Sequence, residues 1–246
     1  MKDLHNHLMY GIDDGSRSLK ESKELLKKLE ERGVSEILLT PHFIRDSEYS
    51  SNNREKKVIL DILQKETSIK LYIGNEVYID DKIIDYINNG YISTINNSRY
   101  VLIELSLYNR INNYMDIIFD LINSGYIPVI AHVERYHYIK LEEIIKLNDM
   151  GCLFQSNLGS LLGRYGKNTT RNLILLLKKR IINVFGTDIH RTVYDINKAL
   201  NILKKYTSED YYNDLIVNNF NNIINNKEVS KYEVVKSKFI GKEKIL

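Results

Sequence analysis

YVLIELSLYNRINNYMDIIFDLINSGYIPVIAH, residues 100–132, holds a strand, a helix and a second strand in one continuous run. Tyr100–Leu105 and Ile127–Ala131 are apolar and rich in β-branched residues, the pattern of strands covered on both faces. Between them, Tyr114–Ser124 keeps its apolar residues at helical spacing. Glu104 stands at the end of the first strand and His132 directly after the second. The stretch reads as a parallel βαβ unit with a polar, metal-competent group at the carboxyl end of each strand.

The same alternation extends outward on both sides. Upstream are a strand at Lys2–Leu4 and a helix at Ser18–Arg32 with a Ser18/Glu21 capping box and Gly33 at its C-cap. A strand at Val34–Thr40 runs into Pro41-His42. A polar loop, Asp46–Asn53, leads to a helix near Arg54–Glu66. Lys70–Ile73 is a strand before Asn75-Glu76, and Asp80–Asn88 is helical. Downstream come a helix at Leu141–Met150, a strand at Cys152–Ser156, a helix at Thr169–Arg180, and a strand at Asn183–Phe185 ending in Gly186-Thr187-Asp188. One or two helices fill Val193–Ile224. About seven strands, each followed by a helix, predict an α/β fold: a distorted, seven-stranded TIM-like (β/α) barrel. The expected organisation is one domain over 1–225 and a lysine-rich C-terminal extension over 226–246.

Bulk properties narrow the function. With 246 residues and 43% hydrophobic content, the chain can bury one large core. Its net charge is +3, and residues 227–246 alone carry six lysines against three glutamates, so the rest is near neutral. No basic stripe suits nucleic acid. The single cysteine, Cys152, excludes an internal disulfide. The N-terminus lacks signal-peptide features, and no apolar run approaches a membrane span, so a cytoplasmic protein is expected.

The candidate chemistry lies at the strand ends. His5 and His7 follow the first strand, His42 the second and Glu76 the third; Glu104 closes the fourth and His132 follows the fifth; Asp188 and His190 follow the seventh, and Asp14 lies in the loop after the first. In a βα barrel all these ends open onto one face. Five of the six histidines occupy such positions, and an acid such as Glu104 beside an apolar run is costly to bury unless paired or metal-bound. His5-x-His7 and Asp188-x-His190 share the spacing that points two groups the same way. Imidazole with carboxylate suits zinc, iron or manganese. Nine ligands exceed one ion's needs and suit two or three, with one carboxylate bridging. Such a centre generates hydroxide near neutral pH and clamps phosphoryl oxygens. Arg135 and Arg191 are the candidate phosphate grips, each with a surface ion pair as its plain alternative. Other phosphatase chemistries lack their signatures: Leu158 stands where Cys-x5-Arg would need arginine, Asp13-Asp14 are adjacent, and no phosphate-binding glycine loop is present.

Taken in order, His5-Asn6-His7, Gly11-Ile12-Asp13-Asp14-Gly15, Thr40-Pro41-His42, Gly74-Asn75-Glu76, Ile103-Glu104, Ala131-His132-Val133-Glu134-Arg135-Tyr136, Gln155 to Gly163 and Asp188-Ile189-His190 resemble the polymerase-and-histidinol-phosphatase (PHP) superfamily. More closely, they are similar to the bacterial tyrosine-protein phosphatases of capsule and exopolysaccharide operons. The resemblance implies three metal ions, usually of manganese type. It assigns His5, His7, Glu76 and Asp188 to one ion, Glu76 with Glu104 and His132 to a second, and Asp14, His42 and His190 to the third. It gives Arg135 a phosphate contact. It further implies phosphotyrosine on the tail of a partner kinase as substrate, with membrane association only through that partner; the oligomeric state stays open. Two positions depart from the family pattern. Val133 replaces a usual proline, and Asp195 stands near where a second arginine usually follows Asp-x-His, Arg191 being too close to it. The competing readings are a small-molecule phosphoesterase, such as a histidinol-phosphate phosphatase, and a non-enzymatic module that docks on a kinase.

Overall fold

Strand Tyr100–Glu104 is buried at all five positions, and its side chains alternate between two apolar layers. Tyr100 and Leu102 face an inner cluster with Leu38, Val129, Leu153 and Val184, while Val101 and Ile103 face an outer cluster shared with the helices. This period of two, repeated strand after strand, makes the sheet curl around its inner layer. The computed structural model describes residues 1–235. In chain order the elements are β1 (Lys2–Asp3), α1 (Leu19–Glu30), β2 (Glu36–Leu39), β3 (His42–Phe43), α2 (Asn53–Gln64), β4 (Lys70–Ile73), β5 (Glu76–Tyr78), α3 (Ile83–Asn88), β6 (Tyr100–Glu104), α4 (Tyr114–Asn123) and β7 (Ile127–Ile130). They continue with α5 (Leu141–Met150), β8 (Leu153–Asn157), α6 (Lys167–Lys178), β9 (Val184–Gly186), α7 (Ile196–Leu203), α8 (Glu209–Asn213) and α9 (Asn219–Ile224).

All strand pairings are parallel, in the orders β1-β2-β4 and β3-β5-β6-β7-β8-β9. Leu4 N–H donates to Phe185 O (3.4 Å), Asp188 N–H to His5 O (2.8 Å) and His7 N–H to Ile189 O (2.9 Å), which ties the end of the path to its beginning. The result is a mixed α/β domain whose parallel strands curl into a half-barrel. The inner layer includes Phe220 and Ile223 of α9.

The strand count differs from the seven expected: nine are present among the described residues. Two strands that were not expected follow the second and third expected ones, after breaks at Thr40-Pro41 and at Gly74-Asn75. Pro41 has no N–H to give a ladder. Its carbonyl instead accepts from Glu76 N–H (3.1 Å) and Asn75 Nδ2 (2.9 Å). The two short strands beyond these breaks, β3 and β5, begin at His42 and Glu76. The capping box at α1 is also only half formed. Ser18 Oγ accepts from Glu21 N–H, but the Glu21 carboxylate accepts from Arg17 N–H rather than from the cap residue. The reciprocal box forms instead at α2, between Asn52 and Glu55. Of the expected C-terminal extension, the described part is bonded to the body: Lys227 O accepts from Tyr100 Oη (2.7 Å), Tyr232 Oη donates to Asp214 (2.7 Å), and Val235 N–H donates to Lys179 O (3.2 Å). Residues 236–246 lie outside the described residues.

The tie between β1 and β9 depends on one buried side chain. Asp3 accepts from Thr187 N–H (2.7 Å), Thr187 Oγ1 (2.6 Å), His5 N–H (3.2 Å) and Asn6 Nδ2 (3.3 Å). Replacing it with alanine leaves several buried donors unpaired. Asp3→Ala is expected to destabilise the metal-free protein by about 2–4 kcal/mol in urea unfolding, and Asp3→Asn by less, since one acceptor remains. A loss below ~1 kcal/mol for the alanine variant would contradict this role.

Candidate metal centre

On β6 the inner-facing series Tyr100, Leu102 continues to Glu104, and on β8 the series Leu153 continues to Gln155 and Asn157. The inner face is therefore apolar along the strands and polar at their carboxyl ends. Loops after β1 and β9 complete this polar end. His5 and His7 reach it with Nε2 atoms only 3.1 Å apart. Two glycines permit the approach. A Cβ on Gly186 would lie 2.5 Å from His5 Cβ, and one on Gly15 would lie 2.1 Å from His7 O. His132 and Asp188 hold left-handed backbone conformations, with φ of 31° and 52°. Such strain in residues other than glycine persists only where surroundings over-determine it.

Glu76 sits at the centre. Its Oε2 is 3.1 Å from His5 Nε2, 3.2 Å from His7 Nε2 and 3.1 Å from His42 Nδ1, and its Oε1 is 2.8 Å from His132 Nε2. Asp188 Oδ1 lies 3.8, 3.6 and 3.5 Å from His5, His7 and His190. Glu104 lies 3.6 Å from His132 and 3.7 Å from His42. Asp14 Oδ1 is 3.6 Å from His42 Nε2 and 3.4 Å from His190 Nε2. All nine residues read from the sequence as candidate ligands thus meet in one place.

These separations suit cations. Ligand atoms about 2.1 Å from one ion stand roughly 3.0–3.4 Å from each other. His42 Nδ1 is buried and aimed at Glu76, yet makes no hydrogen bond, as expected of two lone pairs sharing a common point between them. On the far side of the rings, His5 Nδ1 meets Gln155 Oε1 (3.1 Å), His7 Nδ1 meets Asp13 Oδ2 (2.8 Å) and His190 Nδ1 meets Asp188 O (3.2 Å). Each partner is an acceptor, which fixes the proton on Nδ1 and turns an Nε2 lone pair inward. Three groups have all their ligand atoms within 4.8 Å: His7 with Asp14, His42 and His190; His5 with His7 and Glu76; His42 with Glu76 and Glu104. This grouping differs in part from the division implied by the resemblance, because His42 faces Glu76 with one nitrogen and Asp14 with the other.

The electrostatics point the same way. Burial would raise Glu76, but the surrounding imidazoles outweigh it and hold the carboxyl well below its usual value. Burial, then the Glu76 charge, pushes Glu104 up to about 9. Burial lowers His42 to about 4. A centre so crowded with acids keeps one protonated in the absence of cations, and divalent ions would displace that proton.

A cavity of about 490 Å³ opens above these groups. Arg135 lines it, with Nη1 3.4 Å from Asp188 Oδ2 and its guanidinium 4.6 Å from the centroid of the Tyr165 ring. Arg191 does not line it. Its Nε lies 3.2 Å from Glu21 Oε1 on the surface, the ion pair that was its plain alternative. Asp13, Gln155 and Asn157 stand in motifs quoted above without a role at the site, and Arg164 was not singled out at all. Asp13 is buried between His7 Nδ1, His42 N–H (3.1 Å) and Gly15 N–H (2.9 Å). Gln155 Oε1 also accepts from His132 N–H, its Nε2 donates to Asn157, and Asn157 Nδ2 donates to Asp188. The i, i+2 spacing of Gln155 and Asn157 after an apolar strand was the available signal. Cys152 is buried in the outer cluster, where burial pushes its thiol up to about 12.

A family model described as capsular polysaccharide synthesis, CpsB/CapC, matches residues 1–225. The chain is 33% identical over 241 residues to CapC of Staphylococcus aureus, covering 94% of each chain. It is 30% identical over 242 residues to the tyrosine-protein phosphatase CpsB of Streptococcus pneumoniae, covering 91% of this chain and 98% of that one. A solved structure from work on YwqE of Bacillus subtilis and CpsB of Streptococcus pneumoniae, described there as unique metal-dependent tyrosine phosphatases, superposes with a TM-score of 0.83 at 24% identity, covering 96% of this chain and all of that one. A histidinol phosphate phosphatase from Lactococcus lactis subsp. lactis shares the fold more distantly, with a TM-score of 0.57 at 19% identity over 83% of this chain and 93% of that one.

Asp13 touches no other group that would make it a ligand, yet it holds His7 in place. Asp13→Asn is expected to weaken divalent-metal binding about 10–100-fold, the usual effect of removing a partner behind a metal-binding histidine. Titration calorimetry on the metal-free protein checks this. Unchanged affinity would show that the His7 tautomer needs no such support.

Proposed function

The chain belongs to the CpsB/CapC family of capsular polysaccharide synthesis, and from that premise we propose that it is a metal-dependent tyrosine-protein phosphatase. The observation that carries the reading is the convergence of five imidazoles and three further carboxylates around Glu76, beneath a cavity lined by Arg135 and Arg164. Divalent cations at such a centre supply charge neutralisation for a phosphoryl group and lower the pKa of an attacking water. We assign His5, His7, Asp14, His42, Glu76, Glu104, His132, Asp188 and His190 to holding two or three ions, with manganese the first candidate and iron or zinc the others. Glu76, faced by imidazole nitrogens at both oxygens, would be the carboxylate shared between ions.

The chain's own groups do the rest. Arg135 is the phosphate grip, held at an angle fixed by Asp188 and the Tyr165 ring. Asp13 and Gln155 keep the imidazoles in the tautomer that faces inward. Tyr49 and Tyr78 also line the cavity and give an aromatic substrate side chain flat surfaces to rest on. The substrate we favour is phosphotyrosine on the tail of a partner kinase that governs capsule or exopolysaccharide synthesis. The protein would work in the cytoplasm and reach the membrane only through that kinase. No helix among the described residues is long and apolar enough to cross a membrane. We read the half-barrel as the distorted TIM-like PHP barrel of seven strand–helix units, with residues 1–225 as the catalytic domain.

Steady-state rates on a phosphotyrosine peptide and on histidinol phosphate test the reading. The peptide should be the better substrate, and a clear preference for histidinol phosphate would reverse the assignment. A chelator should abolish turnover. Thiol alkylation should leave it intact, because Cys152 is buried with its thiol protonated. Glu76→Gln should lower kcat/KM by more than about 100-fold, beyond the effect expected of a group behind the ligands. Arg191→Ala should change it within about twofold, as befits an exposed ion pair.

A further inference from the structure

Two arginines line the cavity, and they are mounted alike. Arg135 lies over Tyr165, whose hydroxyl is 3.2 Å from Asp188 Oδ2. Arg164 lies over Tyr194, 5.1 Å from the ring centroid, and the Tyr194 hydroxyl donates to Thr187 O at 2.8 Å. The two tyrosines are thus anchored at consecutive residues of the loop after β9. Gly159 sits between them. A Cβ there would lie 3.4 Å from Tyr165 Cε2, 3.4 Å from Tyr194 Cε1 and 3.1 Å from Arg164 Cδ. The missing side chain leaves room for the second arginine–tyrosine stack beside the first.

The two guanidiniums differ in their partners. Arg135 faces Asp188, whereas Arg164 has no carboxylate partner among the described residues. Arg45, Arg110 and Arg191 at the surface each face an acid. An arginine that lines an acid-floored cavity, stacked on a ring and without a counter-charge, has its donors available for an anion. We propose that Arg164 is a substrate-binding residue that grips the phosphoryl group together with Arg135. This rests on the phosphatase reading above. It also locates the second guanidinium of the site on the turn after β8, whereas Arg191 is engaged with Glu21 outside the cavity.

The test compares wild type with Arg164→Ala, Arg164→Lys and Gly159→Ala, all loaded with manganese. Inorganic phosphate binding is measured by thermal shift and by competitive inhibition, and KM and kcat are measured on phenyl phosphate and on a phosphotyrosine peptide. Arg164→Ala should weaken phosphate binding and raise KM for both substrates by about tenfold or more, the scale of one lost charge-assisted hydrogen bond. Its effect on kcat should be smaller. Arg164→Lys should recover part of the loss, since it keeps the charge without the planar fork. Gly159→Ala should weaken phosphate binding with the arginine still present, by displacing it. Unchanged phosphate binding in Arg164→Ala would overturn the proposal. So would a KM change confined to the peptide, which would place Arg164 against a neighbouring peptide side chain. Phosphate binding decides the matter independently of turnover. A wild-type protein that binds phosphate but cleaves neither substrate would count against the phosphatase reading alone.

Discussion

A carboxylate buried among imidazoles is the constraint on which this structure turns. Glu76 is almost wholly buried, and four histidines point nitrogen atoms at its two oxygens. Burying such a charge without compensation is prohibitive. The imidazoles compensate in part, while burial and the Glu76 charge push the neighbouring Glu104 up to about 9. A cluster held this way is poised rather than satisfied, and cations are the species that would satisfy it.

The backbone bends to serve that cluster. Pro41 and Asn75 break two strand paths one residue before a site group, so His42 and Glu76 start new short strands. Buried Lys56 donates to Asn75 and to Tyr91 O, and anchors the second break from behind. Gly15 and Gly186 are small because His7 and His5 occupy the space a side chain would need. Asp3 clamps the first strand to the last, which brings residues 5 and 188 within reach of one another. None of these features concerns the stability of the core alone; each fixes the angle at which a ligand enters.

Behind the ligands lies a second layer of equal consequence. Asp13 bonds the His7 ring and the His42 backbone N–H, and on the other side Gln155 and Asn157 link His5, the His132 backbone N–H and Asp188. These groups hold the His5 and His7 rings from behind at Nδ1 and the His42 and His132 backbones through N–H, which leaves the Nε2 atoms of His5 and His7 turned inward. The cavity wall then adds what ions cannot: two planar guanidiniums, Arg135 and Arg164, and several tyrosine rings.

Much of this was legible in the amino-acid order. Repeated apolar strand runs alternating with helical periodicity announced the α/β fold, and the elements at Leu141–Met150 and Lys70–Ile73 fall where the pattern put them. Histidines and acids at strand ends announced the site, because strand ends in such a fold open onto one face. Other features were not legible. That Asp13 supports His7 while its neighbour Asp14 reaches His190, that Arg191 turns to Glu21, and that Arg164 enters the cavity all depend on which way a loop residue's side chain leaves the chain. Periodicity fixes direction inside helices and strands, where each residue's orientation follows from the last. In loops orientation is set by distant partners, so only the packed tertiary structure could decide it.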